Sequence, residues 1–149
     1  MTVAGITRFG QRAGRGAARG AAASFRCAAC GEMAGVVKVA RAGTTVDMGP
    51  PLGVESYDRD GIIVDYFLGT AWKAADAATL DAVQEIVSGD APDPVALRRV
   101  DWELAPFFCP DCGLNYCRAD WHTTPVFDKG FYDCTVGVCP SGHRHTVDD

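Results

Sequence analysis

The sequence has no apolar run near the roughly 20 residues that a membrane-spanning helix requires. Its first residues lack the compact apolar block of a secretory signal. A membrane partner is therefore not expected, and the cytoplasm is the expected compartment. The compact His-Glu-x-x-His motif of zinc hydrolases is also missing, which removes the simplest metal-dependent catalytic reading. Acid is lacking in one place: residues 1–26 carry Arg8, Arg12, Arg15, Arg19 and Arg26 and not one Asp or Glu. The whole chain is formally −5, so subtracting those five arginines leaves −10 on residues 27–149. Phosphate neutralisation needs clustered Lys and Arg, which beyond the arm only Arg98-Arg99 offer.

What is present suits one domain. At 149 residues and 48% hydrophobic composition the chain can bury a core of its own. Residues 1–24 are rich in Gly, Ala and Arg with almost nothing to bury, so they are expected to be a disordered basic arm. Residues 25–149 are expected to form a single zinc-binding domain, with 35–105 inserted between its metal knuckles.

Hydrophobic patterning gives the elements. Val36, Val37 and Val39 suggest a strand, and Thr44–Met48 is expected to return beside it. Gly49-Pro50-Pro51 breaks regular structure. Asp60-Gly61 is a turn signal before the apolar run Ile62–Phe67, which reads as a buried strand or as the start of the next helix. Trp72, Ala75, Thr79, Val83, Ile86 and Val87 recur at steps of three and four, which predicts a helix over Thr70–Ser88. Gly89 stands where a left-handed C-terminal residue is expected. Asp93 and Pro94 mark the start of a second helix that runs to about Val100.

The seven cysteines carry the chemistry. An odd count, no signal block and repeated Cys-x-x-Cys spacing favour reduced thiols on zinc over disulfides. Cys27-Ala-Ala-Cys30-Gly31 and Cys109-Pro-Asp-Cys112-Gly113 share one form, in which glycine permits the tight turn that aims two thiolates at one ion. Cys117 with His122, and Cys139 with His143, offer two further pairs. Eight ligands are thus expected to hold two zinc ions: Cys27, Cys30, Cys109 and Cys112 on one, Cys117, His122, Cys139 and His143 on the other. This sequential scheme is favoured because the first two pairs match. A cross-braced scheme would join Cys27 and Cys30 with Cys117 and His122, leaving Cys109, Cys112, Cys139 and His143 together. His145 is a possible substitute for His143. Cys134 is left over, as a buried thiol, a further ligand or a nucleophile.

The paired Cys-x-x-Cys-Gly knuckles resemble the zinc-ribbon and treble-clef zinc fingers. The run Cys109-Pro-Asp-Cys112-Gly-Leu-Asn-Tyr116-Cys117 with Trp121-His122 is also similar to part of the RING-in-between-RING ubiquitin ligases, although no cysteine stands between Cys117 and Trp121. These resemblances imply an α+β fold, a small zinc-stabilised core with a helical insertion.

Filled tetrahedral sites leave no open position for substrate, so no catalytic residue is expected and the zinc is expected to be structural. The leading expectation is a protein-interaction or regulatory module, its acidic body suited to a basic partner. Tyr116, Trp121, Phe127, Phe131 and Tyr132 would form either a contact face or core filling around the metals. One alternative is a nucleic-acid-binding zinc ribbon. Another is a zinc- or cysteine-dependent enzyme, ligase-like through Cys134 or hydrolytic with Asp133 or Glu103 as base. Asp128, Asp133, Asp148 and Asp149 read as a solvated surface. The sequence leaves the oligomeric state open.

Overall fold

The computed structural model describes residues 21–149, so the arginine-bearing arm through Gly20 lies outside the described residues. In chain order the elements are β1 (Ala22–Arg26), β2 (Met33–Ala40), β3 (Thr45–Asp47), β4 (Val54–Ser56), β5 (Gly61–Tyr66), β6 (Gly69–Ala74), α1 (Ala77–Ser88) and α2 (Pro94–Val100). A short 3-10 helix (Trp102–Leu104) leads to β7 (Phe108–Cys109), β8 (Leu114–Asn115), β9 (His122–Asp128), β10 (Phe131–Val138) and β11 (Arg144–Asp148). The architecture is α+β and strand-rich. The first described strand lies partly inside the stretch expected to be arm, because Ala22–Arg26 pairs with β2 and sinks Ala23 and Phe25 into the core.

Four strands form an antiparallel sheet in the order β1-β2-β5-β6. Alternation along them decides which residues go where. Val37, Val39, Ile62 and Val64 join the main core, while Ala40 and Ile63 face a smaller cluster with Val46, Met48, Tyr57 and Trp72. α1 lies against β1, β2 and α2 and buries Leu80, Val83 and Val87. Asp93 caps α2 as its sequence suggests, accepting from the Val95 amide at 2.9 Å. Leu97, Leu104 and Phe107 complete the core beneath the sheet.

Three expectations need correction. Residues 69–74 are strand β6, and the helix starts only at Ala77. The hairpin wins there because β5 is already paired on one side and offers β6 its free edge, with Trp72 opposite Ile63. Asp76 then starts the helix, accepting from the Thr79 amide at 2.8 Å. Trp72 consequently leaves the helical stripe and stacks on Tyr57, ring centres 3.9 Å apart. Thr44–Met48 pairs with β4 instead of β2, whose two edges are filled by β1 and β5. Gly89 ends α1 in extended geometry at φ −71°, not in the left-handed region.

The C-terminal strands form a separate sheet, order β11-β10-β9. It joins the main core through Val147 and Cys139, and Gly137 lies against Trp121. A Cβ at Gly137 would stand 2.8 Å from that indole and 2.9 Å from Val147, so only glycine lets the sheet approach this closely. The outer end of the β9–β10 hairpin leaves the body, with Phe127, Phe131 and Tyr132 exposed.

Candidate metal centres

Each Cys-x-x-Cys-Gly segment folds into the same tight turn. After β1 the Cys27 amide donates to the Glu32 carbonyl at 2.7 Å, and the Gly31 amide returns to the Cys27 carbonyl at 2.9 Å. Between β7 and β8 the Gly113 amide makes the matching bond to the Cys109 carbonyl, also 2.9 Å. Gly31 and Gly113 sit at φ +77° and +69°, where a side chain would be strained. Two other turns present donors. Asp120 and Trp121 amides bond the Cys117 carbonyl, and Gly142 bonds Cys139 while Cys139 bonds the His143 carbonyl.

These turns meet crosswise. Cys27, Cys30, Cys117 and Asp120 converge in one group, and Cys109, Cys112, Cys139 and His143 in another. The matching knuckles therefore do not share a site, contrary to the sequential scheme, because β1 delivers the first knuckle to the 117–120 turn. His122 does not join either group. It opens β9, exposed, and its intended place is taken by Asp120.

The spacings suit a shared cation. Four donors at about 2.0–2.3 Å from one tetrahedral ion stand about 3.5–3.8 Å apart. In the first group Cys30 and Cys117 sulfurs are 3.5 Å apart, and Asp120 Oδ2 is 3.0 Å from Cys27 and 3.4 Å from Cys117. In the second, Cys112 and Cys139 sulfurs are 3.6 Å apart. His143 Nδ1 lies 3.2, 3.5 and 3.8 Å from Cys112, Cys139 and Cys109. Sulfurs at these distances are unbonded, and all seven cysteines are free thiols.

The titrating groups of the two sites differ. Burial pushes the Cys109 thiol up to about 11 and the Cys117 thiol up to about 12. Cys112, beside the Tyr116 and Ser141 hydroxyls, is drawn down to about 6. Asp120 is held below the ordinary carboxylate range, first by Cys27 and then by Cys117. Both groups can hold a metal ion.

Asp120 was legible in principle, since Cys117-x-x-Asp120 repeats the ligand spacing of the two knuckles. His145 sits outside the second group, with Nε2 2.9 Å from Asp111 and 3.5 Å from Cys109. With Cys109 and Asp111 it forms a third, smaller group that shares Cys109 with the second. Cys134 belongs to neither four-membered group. Burial, then the neighbouring Asp133, raises its thiol above the ordinary range, opposite to what a nucleophile needs. Tyr116 and Trp121 are buried, with the indole N–H donating to the Phe107 carbonyl at 3.3 Å, so only the hairpin aromatics remain as a face. Among the described residues no helix is long and apolar enough to cross a membrane.

No curated protein and no solved structure matches the chain. Residues 17–149, which contain every member of both groups, match one family, and the chain belongs to it: DUF8328, a domain of unknown function.

Proposed function

We infer that the protein binds two zinc ions for structural purposes and serves as a protein-interaction module. The observation that carries the metal reading is the crossed meeting of four tight turns, each bringing donors to one of two four-membered groups. Zinc is the ion of choice because thiolate-rich tetrahedral sets suit it, with no redox chemistry implied. Each shell is complete with protein donors, as in zinc ribbons and treble clefs, so the ion's binding energy acts as folding energy.

The interaction reading rests on the β9–β10 hairpin. Phe127 and Phe131 stand 61% and 79% exposed at its end, outside the main core, with Phe127 packed only edge-on to Tyr132 among the aromatic rings. The acidic charge of residues 27–149 suits a basic partner protein and opposes nucleic acid. Elemental analysis tests the metal reading: two zinc ions per chain are expected in the wild type and one in His143→Ala, with loss of thermal stability. A wild-type value of one or none overturns it. A photo-crosslinker at position 131 tests the hairpin, where one defined partner is expected and a crosslink only to the chain itself would refute the surface.

A further inference from the structure

The two groups differ in one ligand, and that ligand has chemical consequences. His143 closes the second group with a neutral nitrogen donor carried on a tight turn. The first group is closed by Asp120, a hard oxygen donor among three soft sulfurs. Its carboxylate accepts hydrogen bonds from the Cys27 and Cys117 thiols, members of the same group. Among the described residues no hydrogen bond from outside the group fixes either Asp120 or His143, so the donor atom itself is what distinguishes the two.

Access is also uneven. Cys30 is exposed, while Cys112, its counterpart, is half-buried. Beside the 117–121 turn runs a groove of about 400 Å³, lined by Arg118 and by Met33, Phe67 and Leu68. Phe67 in turn stacks on Trp121, the neighbour of Asp120, at 5.7 Å between ring centres. The groove also holds Asp65, so a small molecule approaching this turn meets charges of both signs beside an apolar edge.

We propose that the Cys27–Cys30–Cys117–Asp120 centre is an exchangeable site that takes an exogenous low-molecular-weight thiolate in place of the Asp120 carboxylate. The inference rests on the two-metal reading above. In the step, the metal–oxygen bond to Asp120 breaks and a metal–sulfur bond to the incoming thiol forms. The thiol proton passes to the released carboxylate or to solvent. Thiolate replaces carboxylate, so the formal charge of the shell does not change, and a soft donor replaces a hard one on a borderline-soft ion. Cys27, Cys30 and Cys117 keep the ion in the protein throughout.

The test uses the full chain loaded with Co²⁺ at both centres, with 2-mercaptoethanol as probe and absorption as readout. The near-ultraviolet sulfur-to-cobalt band is expected to grow saturably by about one sixth, as six thiolates become seven. Asp120→Ala, which opens the position, should keep the response. Asp120→Cys, which fills it with a protein thiolate, should abolish it. Two bound cobalt ions with no growth in the wild type would overturn the exchange and leave the two-metal reading standing. Fewer than two cobalt ions would instead overturn that reading. Growth that survives undiminished in Asp120→Cys would assign the thiol to the other centre and refute the proposal.

Discussion

The two centres begin from the same knuckle and end as different objects. Cys109 and Cys139 are buried, Cys112 is half-covered, and an imidazole completes their group. In the other group Cys30 is open to solvent and a carboxylate closes the shell. A shared five-residue motif therefore sets the local turn but not the hold on the ion, which depends on what the tertiary fold delivers to the remaining positions. Each centre keeps two buried cysteines in the core, Cys27 and Cys117 in one and Cys109 and Cys139 in the other, and they differ in the exposed Cys30 against the half-buried Cys112.

The largest effect should come from breaking the centre that has no exposed cysteine. Cys109→Ser is expected to lose one zinc and the cooperative fold with it, since a structural zinc is worth on the order of 10 kcal/mol. Cys30→Ser should also lose one zinc but retain slow amide exchange in β2 and β5. Equal collapse of the two variants, by exchange and near-ultraviolet circular dichroism, would abolish the distinction drawn here.

Packing variants sharpen the comparison without touching a ligand. At Gly35 a Cβ would stand 2.2 Å from the Phe107 ring, and at Gly137 2.8 Å from Trp121. Alanine at either position should cost about 1–3 kcal/mol in urea unfolding. Gly35→Ala should be the worse, because its ring neighbour is fully buried and has nowhere to move.

A smaller effect lies away from the metals. Lys73 reaches from β6 to Asp101 at 2.6 Å and also bonds Glu103, tying the sheet to the 3-10 helix. Burial alone would lower its pKa, but the two carboxylates outweigh that and raise it above 10.5. Its contribution should be complete below pH 10.5 and vanish as pH rises through the elevated value. Lys73→Met should lose about 1 kcal/mol at neutral pH, a modest sum because the pair is partly exposed. The gap from wild type should close in strong alkali, as read by thermal melts across pH.

The smallest expected effect is a diagnostic one. His122→Ala should keep both zinc ions, whereas Asp120→Ala should lose its metal first to a chelator such as EDTA, as read by the rate of release. A variant order the other way round would return His122 to the first shell.

Much of this was readable in the chain. The knuckle cysteines, the cap at Asp93 and the buried strand after Gly61 all follow from local rules about thiol spacing, capping and apolar runs. Trp72 misled because a strand residue of β6 happened to fall in phase with the helix that follows it, and periodicity cannot see a free sheet edge. The ligand grouping was not legible for a related reason. Cys27 and Asp120 become neighbours only because β1 pairs with β2 and the 117–121 turn packs under Phe67, contacts that no local pattern encodes. Asp120 itself was hidden by chemistry, since the aspartates of an acidic chain usually belong to its solvated surface.

The crossing of the ligands has a consequence for synthesis. Cys30 meets a partner 87 positions further on, and Cys112 and Cys139 meet only after the first centre's last ligand has already emerged. No continuous fragment ending before Asp120 contains a whole shell, and none ending before His143 contains both. On the ribosome the early knuckle therefore waits for its remaining two donors until most of the protein is made. Truncated products would expose loose thiol pairs, which gives the cell a chemical mark by which unfinished copies differ from finished ones.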